Sequence, residues 1–187
     1  WGEKLIRGRK PVLVLPGDVP LIPSELIKAM VEPLGRTAGL RILSCVLGDP
    51  TGYGRVVRKG KNGLVLRIVE EKDANLREKS IREVGTSIYF FDSTFLKAGL
   101  ARLTPNNTQK EYYLTDLVSQ AARARKHQEV VQWASEQDLQ GVNNPWELAL
   151  AERTLNERIL RNWALKGVRV MDPGSTRVDQ SVELEAE

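Results

Sequence analysis

Cysteine is nearly absent. Cys45 is the single one in 187 residues, so no disulfide can form within the chain. A lone thiol inside the apolar run from Leu40 to Leu47 suits a reducing compartment and argues against a secreted disulfide scaffold. Histidine is as scarce: His127 stands alone, and no Ser/His/Asp or Cys/His constellation can be assembled. It follows a basic helix end, where a favourable interaction with the helix dipole is its expected role. No apolar run approaches the roughly 20 residues that a membrane helix needs. Gly-x-x-x-x-Gly-Lys-Ser/Thr is missing, which speaks against a P-loop nucleotidase. There is no full internal repeat and no low-complexity linker. Charge of one sign does not dominate: 28 basic against 24 acidic side chains leave a net charge of +4. The basic stretches Lys4 to Lys10 and Arg123 to Lys126 are short and carry no RNP, zinc-knuckle or helix-turn-helix signature, so a solvated surface is expected and not a nucleic-acid partner.

With 41% hydrophobic and 28% charged residues the composition is that of a folded globular chain. The run from Lys10 to Ile22 opens with Val12-Leu-Val-Leu15, which predicts a strand buried on both faces of a parallel sheet. A helix from Pro23 to about Val31 and a second buried strand from Arg41 to Leu47 complete a predicted βαβ unit. Strands over Arg55 to Lys59 and Leu64 to Val69 form a hairpin across Gly60–Gly63. A loop with a small helix is expected from Glu70 to Glu83. Next come a strand over Thr86 to Phe91, a helix over Ser93 to Leu103, a helix ending near Lys126 and a strand over Gln128 to Trp133. Asn144-Pro145 is a helix start, and Leu148, Leu155, Ile159 and Trp163 recur on one face until Lys166-Gly167. Val168 to Met171 reads as a short strand and Asp172-Pro-Gly174 as a turn. The chain begins with Trp1, without a signal peptide, and ends in a patterned segment; both ends read as cut from a longer protein.

Asp18 is the strongest chemical candidate. It follows the carboxyl end of a predicted strand, where open α/β sheets place ligands, and Gly17 beside it admits a ligand close to the backbone. A carboxylate there suits magnesium on a polyphosphate, and it equally suits a cap on the turn into the next helix. Gly52-Tyr53-Gly54 offers backbone N–H groups. Glu70-Glu71-Lys72-Asp73 is either a solvated run or, at a strand end opposite the glycine loop, the source of one carboxylate for a hydroxyl-rich ligand. In Gly141-Val-Asn-Asn144, capping explains one Asn and leaves the other unexplained.

Taken in order, Leu15-Pro-Gly-Asp-Val-Pro-Leu21, Asp49-Pro-Thr-Gly-Tyr-Gly-Arg55, Val69-Glu-Glu-Lys-Asp-Ala74, Glu111-Tyr-Tyr-Leu-Thr-Asp116 and Gly141-Val-Asn-Asn144 resemble the uridyltransferase half of the bifunctional bacterial N-acetylglucosamine-1-phosphate uridyltransferase / glucosamine-1-phosphate N-acetyltransferases. The likeness runs from about Lys10 to Pro173. It implies an α/β fold: a Rossmann-like, glycosyltransferase-A-like nucleotidyltransferase sheet with flanking helices, a long C-terminal helix and the start of a left-handed β-helix. The implied divisions are residues 1–144 for the uridyltransferase domain, 145–174 for a helical arm and 175–187 for the first β-helical turn. By the same resemblance, Asp18 and Asn143 are Mg2+ ligands, with Asp18 the catalytic residue. Gly17 and Asn143 lie near the nucleotide sugar, and Gly54 and Glu70 hold the N-acetylglucosamine portion. Tyr113 and Thr115 line the sugar pocket. The implied reaction joins UTP and N-acetylglucosamine 1-phosphate into UDP-N-acetylglucosamine and pyrophosphate. The implied setting is a homotrimeric bacterial cytoplasmic enzyme making peptidoglycan and lipopolysaccharide precursors, without a membrane or nucleic-acid partner.

Three departures accompany the likeness. The family's Gly-rich phosphate loop and its uracil-reading segments would lie upstream of Trp1, so this piece alone is expected to be inactive. Gly85 stands where the family has Asn, and Pro16 where it often has an aromatic or polar residue. Gly85 favours the alternative of a uridyl- or thymidylyltransferase for another sugar 1-phosphate. The other alternative is a non-catalytic sugar-nucleotide-binding homologue.

Overall fold

A computed structural model describes residues 6, 8–60, 63–124 and 126–185, apart from the side chain of His127. The expected dipole contact of His127, the basic residues Lys4 and Arg7, and the tip of the hairpin at Lys61-Asn62 therefore lie outside the described residues. The chain divides into two compact units. The first holds the residues up to Pro16 together with Ile22–Glu136, and the second holds Gly17–Leu21 together with the chain from Gln137 onward.

The first unit is built on a six-stranded sheet among the described residues. Its strands are β1 (Val12–Val14), β2 (Ala38–Val46), β3 (Gly54–Arg58), β4 (Val65–Val69), β5 (Glu83–Phe91) and β6 (His127–Trp133). The helices are α1 (Ser24–Val31), α2 (Leu76–Lys79), α3 (Ser93–Leu100) and α4 (Asp116–Arg123). The spatial order is β4-β3-β5-β2-β6, with β1 also paired to β5. β2 and β6 are parallel, whereas β5 runs antiparallel to β1, β2 and β3. The sheet is thus mixed and flanked by helices, which is the expected α/β class.

Two expectations need correction here. β1 and β2 do not lie side by side as a simple βαβ pair, because β5 is inserted between them. β1 is also half-buried and not enclosed on both faces. Among the described residues it pairs only along the end of β5, with Val12 opposite Phe91 and Val14 opposite Tyr89. β2 is the strand that matches the continuous apolar pattern, buried at every position except Val46 because it lies between β5 and β6. Leu40, Ile42, Ile68, Tyr89 and Phe91 meet Leu96 of α3 and Leu117, Val118 and Ala121 of α4 in the main core.

Arg41 ties α1 to this sheet. Its buried guanidinium donates to the carbonyls of Met30 (2.9 Å) and Glu32 (2.7 Å) at the helix end. It also pairs with Glu129 of β6 at 2.5 Å, and Glu129 accepts the Gly35 amide at 2.8 Å. Helix carbonyls left unpaired at a C-terminus are thereby satisfied by a cation, which also complements the helix dipole.

In the second unit a 3-10 turn (Gln137–Leu139) precedes α5 (Pro145–Leu165). Asn144 caps α5 by accepting the Glu147 amide at 3.0 Å, as its sequence position suggests. The buried face is not the expected one: Ala151, Asn156 and Leu160 are buried, while Leu148 and Leu155 are exposed. The reason is polar. Asn156 donates to the Thr176 carbonyl (2.9 Å) and accepts the Val178 amide (3.1 Å), so the returning chain packs on that side. Residues 168–171 form no strand, because the described residues offer them no partner strand. Asp172 instead organises the expected turn, its carboxylate accepting the Gly174 amide at 3.0 Å.

Arg41→Met should destabilise the first unit by about 3–5 kcal/mol, since it strands a buried carboxylate and several carbonyls. Urea unfolding measures this; a loss below about 1 kcal/mol would show that water replaces the guanidinium without cost.

Candidate functional site

Strand alternation decides which acidic side chain of the 70–73 run is free to meet a ligand. Glu71 turns toward Arg55, a residue only 2% exposed, and pairs with it at 2.5 Å. Lys79 approaches Glu71 from the other side at 3.4 Å. Asp73 accepts the Thr108 amide at 2.9 Å and so ties down the loop of residues 104–110. Glu70 is left, half-buried at the end of β4, with one oxygen accepting the Thr115 hydroxyl at 2.8 Å. The solvated-run reading of these residues is therefore replaced by three separate tasks.

Gly54 explains itself next to Glu70. A Cβ there would come within 2.7 Å of Ile68 Cγ2 and 3.2 Å of Glu70 Oε2, so only glycine lets β3 approach the carboxylate. Gly85 lies opposite Gly54 across β3 and β5. Its missing Cβ would stand 2.8 Å from Ile68 Cδ1, so the Ile68 side chain covers both glycines. Thr115 is the N-cap of α4 but makes no capping hydrogen bond, because its hydroxyl is turned to Glu70. A Ser/Thr cap bond is typically worth about 1 kcal/mol, and here it is given up to orient a carboxylate.

Two tyrosines approach the same carboxylate. Burial first, and the Glu70 charge second, push the Tyr89 hydroxyl well above its ordinary pKa, so it stays a neutral donor. Its oxygen is buried and has no hydrogen-bond partner among the described residues. Tyr113 is pushed up as well, first by desolvation and then by the charges of Asp73 and Glu70. The first unit thus brings Gly54, Glu70, Tyr113 and Thr115 together, and adds Tyr89 and Asp73, which the sequence did not single out. Tyr89 was hidden by its place in an apolar strand.

The remaining predicted residues are grouped in the second unit. The Val142 amide donates to the Asp18 carbonyl at 2.8 Å, joining the segment 17–21 to the loop before α5. The ideal Cβ position of Gly141 is 3.6 Å from Asp18 Oδ2 and 3.8 Å from Asn143 Nδ2, so both side chains converge beside a residue without one. Asn143 donates to Glu147 through its main chain (2.6 Å) and its side-chain amide (3.1 Å), which fixes the orientation of that side chain. Those same bonds, the main-chain one first, hold the Glu147 carboxyl below the usual range. This answers the question of the paired asparagines: Asn144 caps the helix, and Asn143 is held by Glu147.

Asp18 caps no helix. α1 has Pro23 at its N-cap, with no side-chain cap bond. Gly17 adjoins open space, with no atom within 4 Å of its Cβ position. Among the described residues no cluster of three His, Cys, Asp or Glu side chains forms a self-sufficient metal site. What the second unit offers an ion is one exposed carboxylate, Asp18, with the Asn143 side-chain amide nearby. Magnesium keeps several waters and takes further oxygens from phosphates, so it needs few protein ligands.

Thr108, through its side chain and then its amide, holds the Asp73 carboxyl below 3.8. A depressed carboxyl contributes its stabilisation above its ordinary pKa and loses it as pH falls through the folded-state value. The Thr108 amide resonance should therefore titrate with a midpoint below 3.8, and Asp73→Asn should abolish that step. A midpoint at or above the ordinary value would mean that the latch does not form in solution.

No family model matches the chain. Among curated proteins, it is 40% identical over 177 residues to a "Bifunctional protein GlmU" of Bifidobacterium longum, covering 93% of this chain and 38% of that protein. It is 43% identical over 180 residues to the protein of that name from Xanthomonas axonopodis pv. citri, covering 93% of this chain and 39% of the relative. The corresponding protein of Xanthomonas campestris pv. campestris is 44% identical over 169 residues, 90% of this chain and 36% of its own length. The chain spans less than two-fifths of these relatives. Over nearly all of its own length, it is a homologue of one part of the bifunctional GlmU proteins, the family that its motifs resemble.

Proposed function

We propose that this chain carries the nucleotidyl-transfer part of a bifunctional enzyme, joining UTP and N-acetylglucosamine 1-phosphate into UDP-N-acetylglucosamine and pyrophosphate. The observation that carries the reading is the Glu70 carboxylate, oriented by Thr115 and approached by a glycine strand that no other residue permits. A carboxylate with one oxygen held by Thr115 and the other without a hydrogen bond among the described residues is suited to accept from a hydroxyl of a sugar, and hydrogen bonds to charged groups are the stronger kind. In this reading the Gly54 main chain would meet the same ligand, with Tyr113 and Thr115 at its border.

In the transfer, a phosphate oxygen of the sugar phosphate forms a bond to the α-phosphorus of UTP while the bond to pyrophosphate breaks. The nucleophile is already an anion, so no general base is required, consistent with the scarcity of histidine. The chain's work is positioning and charge compensation. Asp18 and the Asn143 carbonyl would hold Mg2+, with Glu147 keeping Asn143 oriented. When bound, the ion neutralises phosphate charge, worth several kcal/mol at comparable sites. Gly17 leaves room for the nucleotide sugar.

The proposed setting is a bacterial cytoplasmic enzyme of cell-wall precursor synthesis, trimeric through a β-helical acetyltransferase that begins after residue 174. No described helix is long and apolar enough to cross a membrane. One observation favours a second reading, a transferase for a different sugar 1-phosphate. At Gly85 the β5 strand presents bare backbone, and Ile68 occupies the space a side chain would need.

Pyrophosphate release by the complete gene product, supplied with UTP and magnesium, separates these readings. Preference for N-acetylglucosamine 1-phosphate over glucose 1-phosphate supports the first, and the reverse preference supports the second. No release with either would favour a binding-only homologue. Asp18→Ala should lower uridyl transfer by on the order of 10²–10³-fold with acetyl transfer intact. Equal loss of both activities would instead indicate misfolding.

A further inference from the structure

A groove of about 960 Å³ lies in the first unit between β3 and the segment running from α2 into β5. None of Gly54, Glu70, Tyr113 or Thr115 lines it, so it is separate from the sugar site proposed above. Its volume falls within the range of small-molecule pockets.

Its charge balance is unusual because its acids are already committed. Both oxygens of Glu83 are engaged by Arg58, at 2.6 and 2.7 Å, and one of them also accepts the Ser44 hydroxyl at 2.8 Å. Burial alone would raise the Glu83 carboxyl, yet Arg58 and Ser44 together hold it low and ionised. Glu78 pairs with Arg67, and its other oxygen accepts the Asn75 amide at 3.0 Å within a capping box. Neither acid is free to turn into the groove.

Two cations in the wall stay uncommitted. Arg77 is exposed and its guanidinium makes no hydrogen bond or ion pair among the described residues. Arg82 spends only Nε, donating to the Leu47 carbonyl at 2.9 Å, while its own carbonyl accepts the Leu47 amide at 3.0 Å. That double tie restrains the Arg82 guanidinium without a hydrogen bond to its two terminal nitrogens among the described residues. Guanidinium groups match phosphate oxygens in a bidentate manner, and a restrained fork loses less entropy on binding.

We propose that this groove is a second ligand site, binding a phosphate-bearing small molecule through Arg77 and Arg82. The anion supplies the negative charge that the wall's own acids cannot.

The test uses the folded chain at about 0.15 M ionic strength, with inorganic phosphate and ADP as separate probes and arginine side-chain Nε resonances as readout. Saturable shifts of Arg77 and Arg82 are expected. Arg77→Gln should weaken binding at least about five-fold, and Arg77→Lys should recover part of it. Arg82→Gln should do the same, but it also removes the Leu47 contact, so the exposed Arg77 is the decisive position. ADP binding about tenfold tighter than phosphate identifies a nucleotide; equal affinities identify the phosphate group as the whole ligand. No saturable shift with either probe overturns the proposal. So does undiminished binding by Arg77→Gln, or binding that is lost in Glu70→Gln and kept in Arg77→Gln.

Discussion

A guanidinium buried beneath the sheet's surface constrains everything around the Glu70 carboxylate. Arg55 is 2% exposed, and a cation at that depth is tolerable only when paired. Its partners are the Glu71 carboxylate and the Tyr53 carbonyl, while Nε has no partner among the described residues. The pair joins the start of β3 to Glu71, the second residue beyond β4, whose last residue Val69 is opposite Arg55. Gly54 precedes one member and Glu70 precedes the other. Fixing the ion pair therefore fixes the spacing of the glycine main chain and the carboxylate, which are the two surfaces a sugar would meet.

The same economy recurs wherever a side chain is diverted from a local task to a distant one. Thr115 leaves the first turn of α4 uncapped in order to orient Glu70. Glu147 satisfies the start of α5 with its own amide and uses its carboxylate on Asn143. Asp73 gives its carboxylate to a loop amide 35 residues away. Each costs a local hydrogen bond or a surface charge, and each orients or frames a group of the candidate site. Preorganisation of this kind is what the proposed group transfer, which rests on positioning and charge compensation, would draw on.

What was legible in the sequence follows from how local each signal is. The β3–β4 hairpin, the buried β2 and the start of α5 rest on periodicity and capping within a few residues, and the structure shows all three. The place of β5 between β1 and β2 depends on pairing between distant segments, which no local pattern encodes. Pattern alone also missed the buried face of α5, because Asn156 is polar and is buried only through its bonds to residues 176 and 178. By local pattern Glu70 was only one of four charged residues in a run, and the family resemblance alone singled it out. Its distinction from Glu71 and Asp73 needed their partners, Arg55 and Thr108, to be placed in space. The Arg41–Glu129 pair, 88 residues apart, left no sequence signal at all.

In the proposed reading Glu70, held by Thr115 beside Gly54, receives a sugar phosphate. Calorimetric titration of N-acetylglucosamine 1-phosphate into the chain and into Glu70→Gln tests it most directly. Binding by the native chain is expected, with a loss of about tenfold or more in the variant, since a charged hydrogen bond becomes a neutral one. Equal affinity in the two proteins, with both folded, would contradict it.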